Sequence, residues 1–186
     1  MTRHVLALTL ALTVVSTATA QVPALRRAQD AGLRYGVPLS WERVPAPSDM
    51  RAAQYRIPGP TPEPADDAEA VLFFFGVDKG GTTEANLDRW YAQFTQPDGK
   101  PSRDAAVVTV RTVHGLKVTS VDLQGTYTGA QTGAESKGPR SDTRMLAAAI
   151  EGPGGPWFLR VIGPAATVGG VSSDFNQVLL TVEAHQ

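Results

Sequence analysis

The five residues Val71-Leu72-Phe73-Phe74-Phe75 run without a polar interruption, and an apolar run of that length marks a strand covered on both faces. A half-buried strand would alternate, so this chain must build layers on both sides of a sheet, with this strand as the candidate centre. Gly76 to Gly81 form its exit loop. From Thr82 to Phe94 the residues Leu87, Trp90, Tyr91 and Phe94 recur at i, i+3, i+4 and i+7, one face of a helix. Thr82 or Gly81 caps its start, and Gln96-Pro97-Asp98-Gly99 closes it in a turn.

Two β-branched-rich stretches follow, Ala106 to Val113 and Leu116 to Tyr127, joined by His114-Gly115, a two-residue hairpin connection. The apolar parity of the second shifts between Val118 and Val121, which predicts a bulge near Thr119-Ser120. Gly129 to Thr143 is polar and glycine-containing, hence a long surface loop. Met145 to Ile150 and Trp157 to Ile162 flank Glu151-Gly152-Pro153-Gly154-Gly155-Pro156 as a further hairpin. Val168, Val171, Phe175, Leu179 and Val182 then return to helical spacing, with Gly169-Gly170 placed to break the first turn.

Upstream, Leu39 to Val44 alternates as a half-buried strand and is ended by Pro45 and Pro47. Ala53 to Ile57 is a second short strand, stopped by Pro58, Pro60, Pro62 and Pro64. Residues 21–38 mix Arg26, Arg27, Asp30 and Arg34 with scattered apolar positions and read as a flexible lead-in or a short helix. Before them, Arg3 and His4 precede an apolar run from Val5 to Val15 and the small-residue site Ala18-Thr19-Ala20, the pattern of a signal peptide over residues 1–20. The run is too short for a membrane span. The expectation is an exported protein, periplasmic or extracellular, with a single α+β domain over residues 39–186.

Composition removes several functions. With 17 Lys+Arg against 18 Asp+Glu, a formal net charge of −1 at pH 7 offers no attraction for nucleic acid or anionic lipid. The absence of cysteine excludes a thiol nucleophile and Cys-ligated metals. Export argues against nucleotide cofactors, so none is expected.

Strands, one amphipathic helix, a run of antiparallel strands and a terminal helix make an α+β layout, with the helices packed on the faces of an antiparallel sheet. This order resembles the Mog1/PsbP-like fold, small sandwiches found in photosystem accessory proteins, a nuclear-transport factor and bacterial exported proteins. The string Asn86-Leu87-Asp88-Arg89-Trp90-Tyr91-Ala92-Gln93-Phe94, with Met50-Arg51 upstream and Gly163-Pro164 downstream, is also similar to a group of uncharacterised secreted bacterial proteins. The likeness covers residues 39 to 182 as an order of elements and includes no catalytic motif. It implies a binding or assembly module.

Candidate sites are few. Gly76-Val77-Asp78-Lys79-Gly80-Gly81-Thr82-Thr83 sits where a phosphate-cradling loop would, but Thr82 stands at the required lysine position. Outside the leader, the only histidines are His114, in a turn, and His185, the penultimate residue, and there is no G-x-S-x-G elbow. A triad or a histidine metal site is therefore a poor fit. Asp66, Asp67 and Glu69 lack the ligand spacing of a calcium loop and read as a solvated acidic stretch. Asn86, Arg89 and Gln93 beside Trp90 combine amide, guanidinium and indole groups on one side of the helix. They form either a recognition surface or a set of ties from the helix to a neighbouring loop. Tyr127, at a strand end, joins them as a candidate binding residue. Trp41 and Trp157 sit at strand positions and fill the core.

The sequence thus points to an exported, non-enzymatic binding or assembly module, its partner an envelope protein or a small apolar or polar ligand. Its alternative is a cysteine-free hydrolase using a carboxylate pair.

Overall fold

Two of the strands occupy the stretch expected to be a flexible lead-in. The computed structural model describes residues 24–129 and 138–185, and it opens on a hairpin of β1 (Leu25–Asp30) and β2 (Leu33–Pro38), turned through Ala31-Gly32 at positive φ. The alternate residues Leu33, Tyr35 and Val37 are buried, and the Trp157 indole donates to the Ala31 carbonyl at 2.7 Å. Arg27 and Arg34 face outward and Arg26, partly buried, bonds the Pro38 and Trp41 carbonyls, while the period-2 apolar set enters the core, which is what makes the segment part of the domain.

After β3 (Glu42–Val44), β4 (Arg51–Ile57) and β5 (Ala68–Phe74) come α1 (Thr83–Tyr91), the short β6 (Phe94–Thr95) and one turn, α2 (Ser102–Ala105). The hairpins β7 (Val107–Val113) with β8 (Leu116–Tyr127) and β9 (Arg140–Glu151) with β10 (Trp157–Pro164) follow. The chain ends in α3 (Ala165–Gly170), α4 (Ser172–Leu180) and β11 (Glu183–Ala184). The large antiparallel sheet runs β3-β4-β5-β10-β9-β8-β6, with β7 also on the outer side of β8, and a small sheet runs β1-β2-β11. Among the described residues no helix is long and apolar enough to cross a membrane.

The large sheet is covered on both faces. One face carries Leu72, Ala148, Leu159 and Val161 against Leu33, Val37, Val168, Phe175 and Leu179 of the small sheet and the C-terminal helices. The other carries Val121, Met145, Ala147 and Phe158 against Trp90 of α1, with Phe73, Phe75, Leu87 and Tyr91 partly buried at its margin. This is an α+β sandwich with helices on opposite faces, as the element order implied.

The structure corrects several local expectations. The centre of the sheet is β10 and β9, where the residues from Met145 to Ile150 are nearly all fully buried. Phe73 and Phe75 lie at the margin of the α1 face and Phe74 packs on the opposite one beside Trp157, and all three are only partly buried. Leu39 is exposed and Ser40 lies in a turn, so the third strand starts only at Glu42, after the buried Trp41. No bulge interrupts Thr119-Ser120: β7 and β8 pair in continuous register, and the irregularity lies between Gly125 and Tyr127 against β9. The parity shift has another cause. Leu116 and Val118 face the C-terminal helices, Val121 and Leu123 face α1, and each end of the long strand is apolar on the side that is covered. The terminal helix is two helices meeting at Val171. The expected loop from Gly129 to Thr143 loses Arg140 to Thr143 to β9, its residues 130–137 lie outside the described part, and so does the expected signal peptide.

Candidate functional site

The helix carrying the candidate stripe is placed by its first turn. Thr82 caps it, its hydroxyl accepting from Ala85 N at 3.2 Å. The preceding loop is held by Gly80, whose φ of +91° suits glycine; a Cβ there would stand 2.7 Å from the Phe75 ring and 2.9 Å from Phe158. Asn86 is buried and donates from Nδ2 to the carbonyls of Gly80 and Thr82, both at 2.9 Å, while its Oδ1 accepts from Arg89 Nη1 at 2.8 Å. Two acceptors of the loop are thereby satisfied by one side chain. Arg89 itself is exposed.

Trp90 is buried edge-on against Phe158, with ring centroids 6.4 Å apart. Gln93 is buried as well, and its carbonyl accepts from Thr128 N at 2.8 Å and Thr128 Oγ1 at 3.1 Å. The stripe is therefore not one exposed surface. Asn86 and Arg89 tie the helix to its loop, Trp90 fills the core, the Gln93 side chain turns toward a different residue, Arg160, and Tyr127 packs against Phe94. Gln93 Oε1 lies 3.5 Å from Arg160 Nη1, and Tyr127 is half-buried under the Arg140 guanidinium, 4.9 Å above its ring.

Arg160 is the residue that the sequence reading passed over. It stands in Trp157-Phe158-Leu159-Arg160-Val161-Ile162, the middle of the central strand, and a charge inside such a run is the signal that could have found it. Its neighbours in register on the α1 face are Val71 and Ala147, neither with an acceptor side chain.

The loop from Gly76 to Thr82 meets the turn from Gly152 to Pro156 in an open cleft of about 360 Å3. Asp78, Glu84 and Glu151 line it, so its charge is the wrong sign for a phosphate. Glu151 accepts from Thr83 Oγ1 at 2.6 Å and from Lys117 Nζ at 3.1 Å. The Thr83 bond, with help from Lys117 and against the pull of burial, holds its carboxyl below the usual glutamate value. His114 lies exposed in its turn and donates from Nδ1 to the Val182 carbonyl at 3.0 Å. Asp67 accepts from Arg56 at 2.7 Å and Gly59 N at 2.9 Å.

A second exposed feature lies at the far edge of the sheet. β7 pairs with β8 on one side, and among the described residues no strand pairs with it on the other. Val107, Val108 and Val110 are 65%, 45% and 61% exposed, and Arg111 is the only charge in the strand.

An eight-stranded antiparallel sheet between a helix and a hairpin-plus-helix layer defines a Mog1/PsbP-like sandwich. The solution structure of cyanobacterial PsbP (CyanoP) from Synechocystis sp. PCC 6803 is similar to it, with a TM-score of 0.53 at 15% identity over 91% of this chain and 98% of that one. A crystal structure of the protein of unknown function PA94 from Pseudomonas aeruginosa gives 0.49 at 11% identity over 87% and 98%. No protein-family model matches the sequence, and no curated protein matches it either.

Proposed function

We propose that this chain is an exported, non-enzymatic binding or assembly module that takes an extended segment of an envelope protein onto the free edge of β7. The observation that carries the reading is the edge itself. An outer strand presents unpaired amides and carbonyls, and proteins ordinarily guard such an edge with charges, proline or a covering loop. β7 has seven residues, no proline, one arginine and three exposed valines. Strand addition uses this arrangement, with main-chain bonds for affinity and alternate side chains for selectivity. In this reading the partner surface is the free edge of β7 and not the α1 stripe.

The carboxylate-pair hydrolase has less in its favour. Asp30, Glu42, Asp67, Glu69, Asp88, Asp98, Asp122 and Glu151 are each ion-paired with an arginine or lysine, and Asp67, Asp98 and Glu151 are held below the ordinary carboxylate value, the opposite of what a general acid needs.

A photo-crosslinking residue placed at Val108 or Val110 in the host, with Arg56 as an exposed control, tests the reading. One discrete adduct from β7 alone, heavier than the chain and absent from the control, is the expected result. Adducts shared with the control, or none, would overturn it, and a mass of twice the chain would replace the partner with a second copy. Sequencing the mature N-terminus tests export, with Gln21 expected first.

A further inference from the structure

Arg160 is the one charged residue buried among the described residues, 9% exposed, and it has no ion-pair partner there. Its Nε is fully enclosed without a hydrogen bond, and Nη1 reaches Gln93 Oε1 only at 3.5 Å, the outer limit of a bond. The guanidinium lies over Phe73, 5.5 Å from the ring centre. Arg51 lies over the same ring at 5.7 Å. Arg140 stands over Tyr127. Among the described residues the acid in this neighbourhood, Glu69, is already bonded to Arg51 at 2.8 Å and Gln54 at 2.7 Å. Three guanidinium groups against one carboxylate leave excess positive charge around a buried centre. An uncompensated buried cation is costly and persists where something offsets it. Burial, with Arg51 and Arg140 adding to it and Tyr127 and Glu69 opposing, lowers the pKa of Arg160 from its usual value.

We propose that Arg160 anchors an anion site on the α1 face of the sheet and takes the carboxylate of a small organic acid. With Nη1 turned to Gln93, the Nε–H is left without an acceptor, and an Nε–H with the N–H parallel to it matches the two oxygens of a planar carboxylate. One negative charge neutralises one guanidinium. A tetrahedral phosphate would place its further oxygens off the plane of that fork. The half-buried Phe73 ring, over which the guanidinium lies, is the apolar surface for the body of the acid.

Thermal unfolding of the full chain in sodium chloride, acetate, benzoate and phosphate, at matched pH and ionic strength, tests the site. Acetate and benzoate are expected to raise the midpoint in a saturable way over chloride, phosphate is not, and Arg160→Met is expected to lose the response. Should that variant fail to fold, the Arg160 Nε–H resonance of the unaltered protein answers the same question by moving on benzoate addition. No rise over chloride, an equal rise in Arg160→Met, or an unmoved resonance would overturn the proposal, and a response to phosphate alone would overturn the assignment to carboxylates.

Discussion

The hydroxyls of Tyr35 and Tyr55 meet at 2.9 Å, joining the N-terminal hairpin to the large sheet. Tyr35 also donates to Asp30 Oδ2 at 2.7 Å, and Asp30 is held in turn by Arg43 at 2.6 Å. Burial comes first among the causes that push both phenols above the ordinary tyrosine value, so neither ionises in the folded protein near neutral pH. This polar chain crosses an otherwise apolar interface and gives every member a partner.

Replacing Tyr35 by Phe removes the central hydroxyl and leaves the Tyr55 hydroxyl with only a long contact from Arg43. The expected loss is about 1–2 kcal/mol. Urea unfolding checks it, with a lower midpoint and an unchanged slope.

Asn86→Ala deprives the Gly80 and Thr82 carbonyls of their donor and is expected to cost about 1–3 kcal/mol. Arg89→Ala removes an exposed side chain and is expected to change stability by less than about 0.5 kcal/mol. Measuring both by chemical denaturation separates a tie within the helix from a recognition surface, which would invert the order of effects on binding without this gap in stability.

In chloride buffer, Arg160→Met exchanges an uncompensated buried charge for an apolar side chain. Its unfolding free energy is expected to rise by about 1 kcal/mol or more. A fall instead, read from the same denaturation curve, would mean that Arg160 is already compensated within the fold.

Val108→Lys and Val110→Lys place the charge that edge strands ordinarily carry on β7. Both sites are exposed, so the fold should keep its stability to within about 0.5 kcal/mol. The crosslink expected from β7 should disappear in these variants.

Glu151 has a folded pKa below its ordinary 4.5. The folded state therefore binds its proton less tightly than the unfolded chain, and the stabilisation is complete above 4.5 and lost as pH falls through the folded value. Glu151→Gln should accordingly melt below the unaltered protein at pH 7. The two melting temperatures should converge as the pH drops below that ordinary value, which a pH series of thermal scans would show.

Local chemistry determined what the sequence revealed by itself. Thr82 opens α1 because its hydroxyl meets a free amide, and His114-Gly115 turns the β7–β8 hairpin because both residues take the positive φ that such a turn needs. The apolar spacings of Leu87, Trp90 and Tyr91, and of Phe175 and Leu179, are set by the helix repeat and marked those stretches without any partner, whereas Phe94, expected on the same helix, lies in β6. Tertiary structure decided the rest. Leu33, Tyr35 and Val37 are a strand because Tyr55 and Trp157 wait to receive them, a pairing more than 100 residues apart for Trp157 and Ala31. Val121 faces α1 while Val118 faces α4's side, since each half of β8 is covered by a different layer. The meaning of Arg160 was decided in the same way: a guanidinium in a strand is ordinary until the fold removes water from around it and no carboxylate among the described residues replaces that water.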